Sequence, residues 1–465
     1  MIANVIHQSR AERVERGRAA RKAVPLASLG ALHAAADENP VTLLEKQAVG
    51  RVPELVPVRY GRMLVSPFTF YRGAALLMAA DLARVPRSGL NVQLCGDAHL
   101  SNFGLFASPE RRLVFDVNDF DETNPGPFEW DVKRLAASVE IAGRDNGHTA
   151  KQRRRAVTAT ACSYRMAIRE LGAMSNMAVW YAHQAIDPST PALQVLQSKR
   201  SRRSLRDSVT RAYARDSIAA QRKLTEMVDG RLRIVHDPPV VVPARELDTQ
   251  QLGLDLDTWM EGLLDHYVRT LQPDRRHLIE QYRVVDVAHK VVGVGSVGTR
   301  AWIVLLIGAD DQDPLFLQAK EASESVLEGF TRPSRYRNHG RRVVEGQRLI
   351  QAYGDILLGW HTTKFARVPA DYYVRQLRDW KGAVEVADLD PEALMLYGEF
   401  CARTLARAHA RSGDRVAIGA YLGGKDGFER AVAEFAALYA DKNDRDHAEL
   451  ERARKTGRIT VTANV

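Results

Sequence analysis

Cysteine is scarce in this sequence: three residues in 465, Cys95, Cys162 and Cys401, lie far apart and in no metal-ligand spacing. That argues against a disulfide framework or a cysteine metal site and favours a reducing compartment. Long apolar runs are missing too. No stretch approaches the roughly 20 residues that span a bilayer, and the first residues carry no apolar core of a secretory signal. The expected location is the cytoplasm, with no membrane partner. Neither sign of charge dominates: 66 Lys and Arg stand against 57 Asp and Glu, a net charge of +9 with the two signs interspersed. Such a balance favours anionic ligands or nucleic acid only weakly. What remains is an ordinary globular composition, 45% apolar and 26% charged, long enough for two or three domains around a large buried core.

Residues 94–131 are the stretch around which the rest is organised: LCGDAHLSNFGLF, a polar break, then RLVFDVNDFDETNPGPFEWD. Its first half places Asp97 and Asn102 five positions apart, with Gly96 before the aspartate. Apolar runs at 92–94 and 103–106 predict a tight loop entered and left by short strands. The second half predicts a strand over 113–117 that runs into Asp116, Asp119, Asp121 and Glu122. Carboxylates are depleted from strands, and crowding them raises their mutual repulsion. A cation would relieve that cost, and an oxygen-rich cluster suits magnesium. Phosphoryl transfer uses such parts: a carboxylate that accepts a hydroxyl proton, and an Asn and an Asp that hold magnesium on the phosphates. Asp97 is then the base, Asn102 one metal ligand and Asp119 or Asp116 the other. Strand alternation sends Asp116 and Asp119 to opposite faces, so only one should face the site unless a bulge intervenes. The plain alternative is a turn capped by Asp97 beside a solvated acidic edge.

The remaining chain divides by composition. Residues 1–24 are Arg- and Ala-rich and read as a solvated basic helix. SPFTFYRGAALLMAADLAR, residues 66–84, predicts one helix stopped by Pro86. Arg62 and Arg72 sit among its aromatics, where phosphate contact and packing are both open. A long amphipathic helix is expected over 149–184, with a break near Gly172. The run KRSRRSLR, residues 199–206, reads as an exposed helix face, not as a nucleic-acid surface. RLRIVHDPPVVV, residues 231–242, predicts a hairpin broken by its proline pair, and 256–271 another helix. From residue 282 the chain turns β-rich: YRVVDVAHKVVGVGSVGTRAWIVLLIG, a turn, then LFLQAKEA with Lys320. The glycines at 293, 295 and 298 lie between strands, so a dinucleotide-binding reading fails its own context. A glycine-rich hairpin (Gly293, Gly295, Ser296, Gly298) followed by a strand with a late lysine is instead the kinase nucleotide clamp. Glycine lets backbone amides approach phosphates, and Lys320 would pair with them. Taken without 94–131, an ordinary hairpin with a solvated lysine would be the better reading. Glu345, on the helix expected over 341–351, is the carboxylate expected to hold Lys320 on ATP; Glu324 and Glu328 are the alternatives. Strands over 356–362 and 372–377 and a helix over 393–414 complete the pattern.

Residues 94–131 resemble the catalytic loop and metal strand of aminoglycoside and choline kinase-type phosphotransferases, in which G-D-x-x-x-x-N precedes a strand ending in Asp. Phe128, Glu129, Trp130 and Asp131 are similar to the start of that family's next helix. The resemblance implies a protein-kinase-like two-lobed α+β fold that uses ATP and magnesium. Catalytic loop and clamp are in reversed order, with the loop N-terminal to the glycine-rich clamp, which implies circular permutation. Cys95 stands where a basic residue or His is usual, and D-F-D replaces D-F-G, so the implied acceptor is a hydroxyl on an unidentified small molecule. Almost everything after about residue 40 also resembles the bacterial domain-of-unknown-function family 2252, in FYRGAA, CGDAHLSNFG, NDFDE, VGVGSVGTR, RVVEGQR, YYVRQL and LARAHARSGD. Four regions are expected: a basic helical extension 1–40, a helical large lobe 41–280, a β-rich nucleotide-binding small lobe 281–382, and helices 383–465 returning to the large lobe. Two other functions stand beside transfer to a small molecule: nucleotidyl transfer to protein, and a nucleotide-binding regulatory module without turnover. His99 is expected to brace the loop.

Overall fold

A computed structural model of the chain describes residues 8–32, 39–185, 199–238, 240–246, 264–290, 297–365, 368–377 and 380–462. The fold is mixed α+β. The strands in chain order are β1 (Asn91–Leu94), β2 (Phe103–Ala107), β3 (Leu113–Val117), β4 (Asn124–Pro127), β5 (Thr225–Val228), β6 (Arg231–Ile234), β7 (Val241–Pro243), β8 (Arg283–Lys290), β9 (Ala301–Ile307), β10 (Pro314–Ala322), β11 (Gly359–Phe365) and β12 (Val368–Gln376). Six of them form one antiparallel sheet in the order β11-β12-β10-β9-β8-β7. Three small two-stranded sheets pair β1 with β4, β2 with β3 and β5 with β6. The expected loop strands β1 and β2 are therefore present but pair elsewhere, not with each other.

The large sheet is covered on both faces, which is why β9 reads as an unbroken apolar run, AWIVLLI, and not as an alternation. Trp302, Val304 and Leu306 pack with Tyr267 and Leu271 on one side. Ile303, Leu305 and Ile307 pack with Ala220 and Leu224 on the other. The chain turns back at the prolines, where Asp237 and Val241 exchange backbone hydrogen bonds, but RLRI forms no ladder with VVV. It pairs with β5, while β7 joins the sheet through β8. The proline pair between them prevents a regular ladder, and the sheet thereby recruits residues from before 281.

The helical body gathers the helices Phe128–Asp145, Ala150–Ala173, Pro391–Ser412 and Gly427–Lys455 around one core. Their starts follow from the sequence. Thr149 and Gln152 form a capping box, and Asp390 caps a helix whose first residue is Pro391. The single helix expected over 66–84 is divided into Pro67–Gly73 and Ala75–Leu82, because Ala74 leaves helical geometry at φ −112°, ψ 31°. The long helix after Thr149 ends at Ala173, as its glycine suggested, and resumes as Asn176–Tyr181. The basic run lies in the helix Lys199–Tyr213. The helix expected over 256–271 falls largely outside the described residues. Among the described residues no helix is long and apolar enough to cross a membrane.

The helix His339–Ile350 fixes the sheet against the helical body, since Val343 and Val344 belong to the body's core. Its Gly340 is needed for close approach: a Cβ there would lie 2.2 Å from the Tyr372 carbonyl oxygen. Gly340→Ala should therefore destabilise the fold by about 1–3 kcal/mol, as an overpacked contact against backbone does, and lower the denaturation midpoint. An unchanged midpoint in chemical denaturation would contradict this packing.

Candidate functional site

The loop after β1 turns through Gly96 at φ +89°, where a Cβ would meet the Glu122 carbonyl oxygen at 2.1 Å. Only glycine suits both the conformation and the contact. Beneath the turn lies Asp131, in the first turn of the helix Phe128–Asp145. Its carboxylate accepts the amides of Cys95 (2.8 Å) and Gly96 (3.1 Å). His409 Nε2 lies 3.2 Å from the same carboxylate, and its Nδ1 lies 2.8 Å from the Tyr164 hydroxyl. All three side chains are buried, so the loop's backbone is clamped from inside the core.

Asp97 projects from this clamped turn. Arg134 donates from Nε (2.8 Å) to Oδ1 and also reaches it with Nη2 (2.7 Å). Oδ2 stays uncommitted, 3.6 Å from His99 Nε2. Burial raises the Asp97 pKa although Arg134 opposes it. Burial likewise drives His99 well below the usual histidine value, so the ring is neutral, and its Nδ1 has no hydrogen-bond partner among the described residues. The Asn102 side-chain nitrogen donates to the Asp97 carbonyl at 2.7 Å, which leaves its oxygen as the free end. Tyr71 completes the support: Arg134 stacks 3.8 Å from its ring centre and donates to its carbonyl at 2.7 Å.

The acidic segment after β3 meets the sheet. Lys320 Nζ lies 2.6 Å from Asp121 and 3.8 Å from Asp119. Tyr373 stands opposite Lys320 in the β10–β12 register and donates its hydroxyl to Asp121 at 2.7 Å. Burial alone would raise the Asp121 pKa; the Lys320 ammonium and the Tyr373 hydroxyl outweigh it and hold the carboxylate low. Asp119 shifts up, through burial and then the Asp121 charge. Burial disfavours the Lys320 ammonium, but the two aspartates more than restore it. Arg342, buried on the helix His339–Ile350, donates to the carbonyls of Asp121 (2.8 Å), Thr123 (2.7 Å) and Ser323 (2.9 Å). It fixes the backbone on which the carboxylates stand.

A cavity of about 330 Å³ opens between these parts, lined by Asp97, Asn102, Asp119, Asp121 and Glu122 among others. Lys320, only 3% exposed, reaches it through its contacts to Asp119 and Asp121. Asp116 is elsewhere. It is buried in an ion pair with Arg407, and its other oxygen accepts the Ala352 amide at 3.3 Å. This corrects its candidacy as a ligand: Asp116 lies inside β3 and is turned to Arg407, whereas Asp119 follows the strand's end at Val117. Glu345 does not meet Lys320 either. It lies 3.9 Å from both Arg341 and Arg348, neighbours on its own helix, and Asp121 takes the role expected of it. Glu328 lies 3.6 Å from Arg342, and Glu324 lines the cavity. Gly298, at φ +91°, packs on Arg51 and its carbonyl accepts the Val52 amide at 2.8 Å. Gly293, Gly295 and Ser296 lie outside the described residues. Arg134 went unnoticed in the sequence, although it sits three residues after Asp131 on one helix face.

Among the described residues, no group of three or more His, Cys, Asp or Glu side chains is poised to hold a metal ion. The donors fit a more modest requirement. Magnesium keeps several waters and takes one or two carboxylates together with substrate phosphates. The Asn102 oxygen and Asp119, whose side chain is 32% exposed, are oxygen donors of that kind.

The chain matches, over residues 51–453, the model of a family described as an uncharacterized protein conserved in bacteria, DUF2252. No curated protein and no solved structure matches it.

Two outcomes follow from the site. Asp116→Ala should destabilise the protein by about 3–5 kcal/mol, since it strands the buried Arg407 charge, whereas Asp119→Asn should leave the melting temperature nearly unchanged. Equal losses would contradict the two placements. Glu122 is pushed up to about 7 from the ordinary 4.5, chiefly by burial. A carboxyl raised on folding contributes stability that is full below the unfolded value and is lost as pH rises through the folded one. Between about pH 4.5 and 7 the wild type should thus lose stability that Glu122→Gln retains, visible as a flatter pH dependence of the denaturation midpoint.

Proposed function

We propose that this chain, which belongs to the DUF2252 family, is an ATP- and magnesium-dependent phosphotransferase acting on a hydroxyl of a small molecule. In this reading the scaffold is a circularly permuted, protein-kinase-like two-lobed fold. The observation that carries it is the contact between Lys320 and Asp121, 199 positions apart in sequence, at the edge of the cavity that also holds Asp97 and Asn102. Independent domains would have no reason to bring a strand lysine, a loop aspartate and an amide into one place. The permutation draws support from His409. It ends a helix that would lead into the loop in ordinary kinase order, and it already reaches Asp131 beneath that loop.

In this reading Asp97 Oδ2 accepts the proton of the acceptor hydroxyl, because Oδ1 is occupied by Arg134. A raised pKa suits a base that must take a proton near neutrality. Magnesium, when bound, would neutralise charge on the phosphates, and Asn102 and Asp119 are the residues that would hold it. Lys320 keeps Asp121 ionised and would pair with the phosphates. His99, 3.6 Å from Oδ2, braces the loop and takes no part in the proton transfer.

ATP should bind more tightly with magnesium than with a chelator present, as read by calorimetry. Asp97→Asn should lower phosphate transfer at least about 100-fold, the usual weight of a general base, while nucleotide affinity is kept. Equal ATP affinity in magnesium and chelator would overturn the assignment. Magnesium-dependent binding without any transfer by the wild type would favour the regulatory module.

A further inference from the structure

The cavity has a second wall, built by the segment before β1. Arg51 and Arg72 both line it, and they are held differently. Arg51 donates from Nη1 to the Val297 carbonyl, which anchors it beside Gly298. Arg72, in the last turn of the helix Pro67–Gly73, makes no hydrogen bond or ion pair with any described residue, and its Nε is buried without a partner. Asp97 and Glu385 act on it only at a distance. A largely desolvated guanidinium without a partner is costly.

The cavity's carboxylates do not invite a cation to the same degree. Asp97 is held by Arg134, Asp121 by Lys320, and Glu321 by Arg300 at 2.9 Å. Glu122 accepts the Val326 amide at 2.8 Å. Glu324 has no such partner among the described residues, but it is exposed and solvated. Asp119 shares the one Lys320 ammonium with Asp121, which leaves that end of the cavity acidic, and the uncompensated positive charge lining the cavity is that of Arg72. It stands on the Asp97 side, where an acceptor hydroxyl would give up its proton, whereas Arg51 feels Glu122 and Asp121 on the other.

We propose that Arg72 receives an anionic group of the acceptor, a carboxylate or a phosphate, so that the substrates are hydroxy acids or phosphorylated alcohols and not amino sugars. A guanidinium pairs with either anion through two parallel hydrogen bonds. The proposal takes its acceptor from the phosphotransferase reading, and its test is separable from that reading.

Inorganic phosphate is titrated into the full chain by calorimetry, alone and with the protein saturated by magnesium and a non-hydrolysable ATP analogue. Phosphate should bind in both cases. Arg72→Gln should weaken phosphate about tenfold or more and change analogue affinity by less than about twofold, with Arg72→Lys intermediate and both variants melting no lower than the wild type. Unchanged phosphate affinity in Arg72→Gln would overturn the proposal. So would a wild type that binds no phosphate, or parallel loss of phosphate and analogue, which would place Arg72 on the nucleotide. Analogue binding that ignores magnesium would sink the phosphotransferase reading alone, because the phosphate titration without analogue still reports on Arg72.

Discussion

The buried pair of Lys320 and Asp121 is the constraint on which the site depends. It joins the central strand of the sheet to the acidic segment after β3, with the lysine side chain 4% and the aspartate 27% exposed. Burying such a pair costs desolvation that Coulomb attraction alone rarely offsets. The surroundings make up the difference. Tyr373 satisfies the second Asp121 oxygen, and Arg342 ties the carbonyl of the same residue to the helix His339–Ile350. Remove the lysine, and two neighbouring carboxylates lose the ammonium they share. The geometry of the cavity follows from keeping that charge balanced.

A second clamp acts independently. Asp131 holds the Cys95 and Gly96 amides from the core, and His409 and Tyr164 hold Asp131 in turn. The loop can thus present Asp97 on a rigid base while Asp119 stays at the cavity wall, partly exposed and weakly paired. Rigidity under Asp97 and looseness at the oxygen donors is the arrangement expected of a site completed by its ligands.

Much of this was legible in the chain, for identifiable reasons. β10 with its lysine, the helix His339–Ile350 and the helix Pro391–Ser412 follow from periodicity and capping, which are local. The loop 95–102 followed from spacing. What could not be read were partners. Nothing local distinguishes Asp121 from Asp119 as the lysine's counter-ion; the choice depends on which residue the sheet places opposite, and register is a tertiary property. Glu345 was the natural choice by helix position, yet two arginines on its own helix face it. Arg134 was invisible because an arginine in an amphipathic helix ordinarily reads as surface, and only the fold turns it inward toward Asp97. The proline pair at 238–239 does break a hairpin: one bridge, Asp237 to Val241, spans it, and its two arms then join different sheets, which only the tertiary pairing decides.

The central claim is that one cavity receives both nucleotide and acceptor. A crystal structure of the full chain with magnesium and a non-hydrolysable ATP analogue tests it most directly. The account predicts the phosphates between Lys320 and Asn102, with magnesium on the oxygens of Asn102 and Asp119 and with Asp97 Oδ2 open toward the terminal phosphate. A nucleotide bound away from this cavity, for example in the open groove beside Arg154 and Arg403, would contradict it.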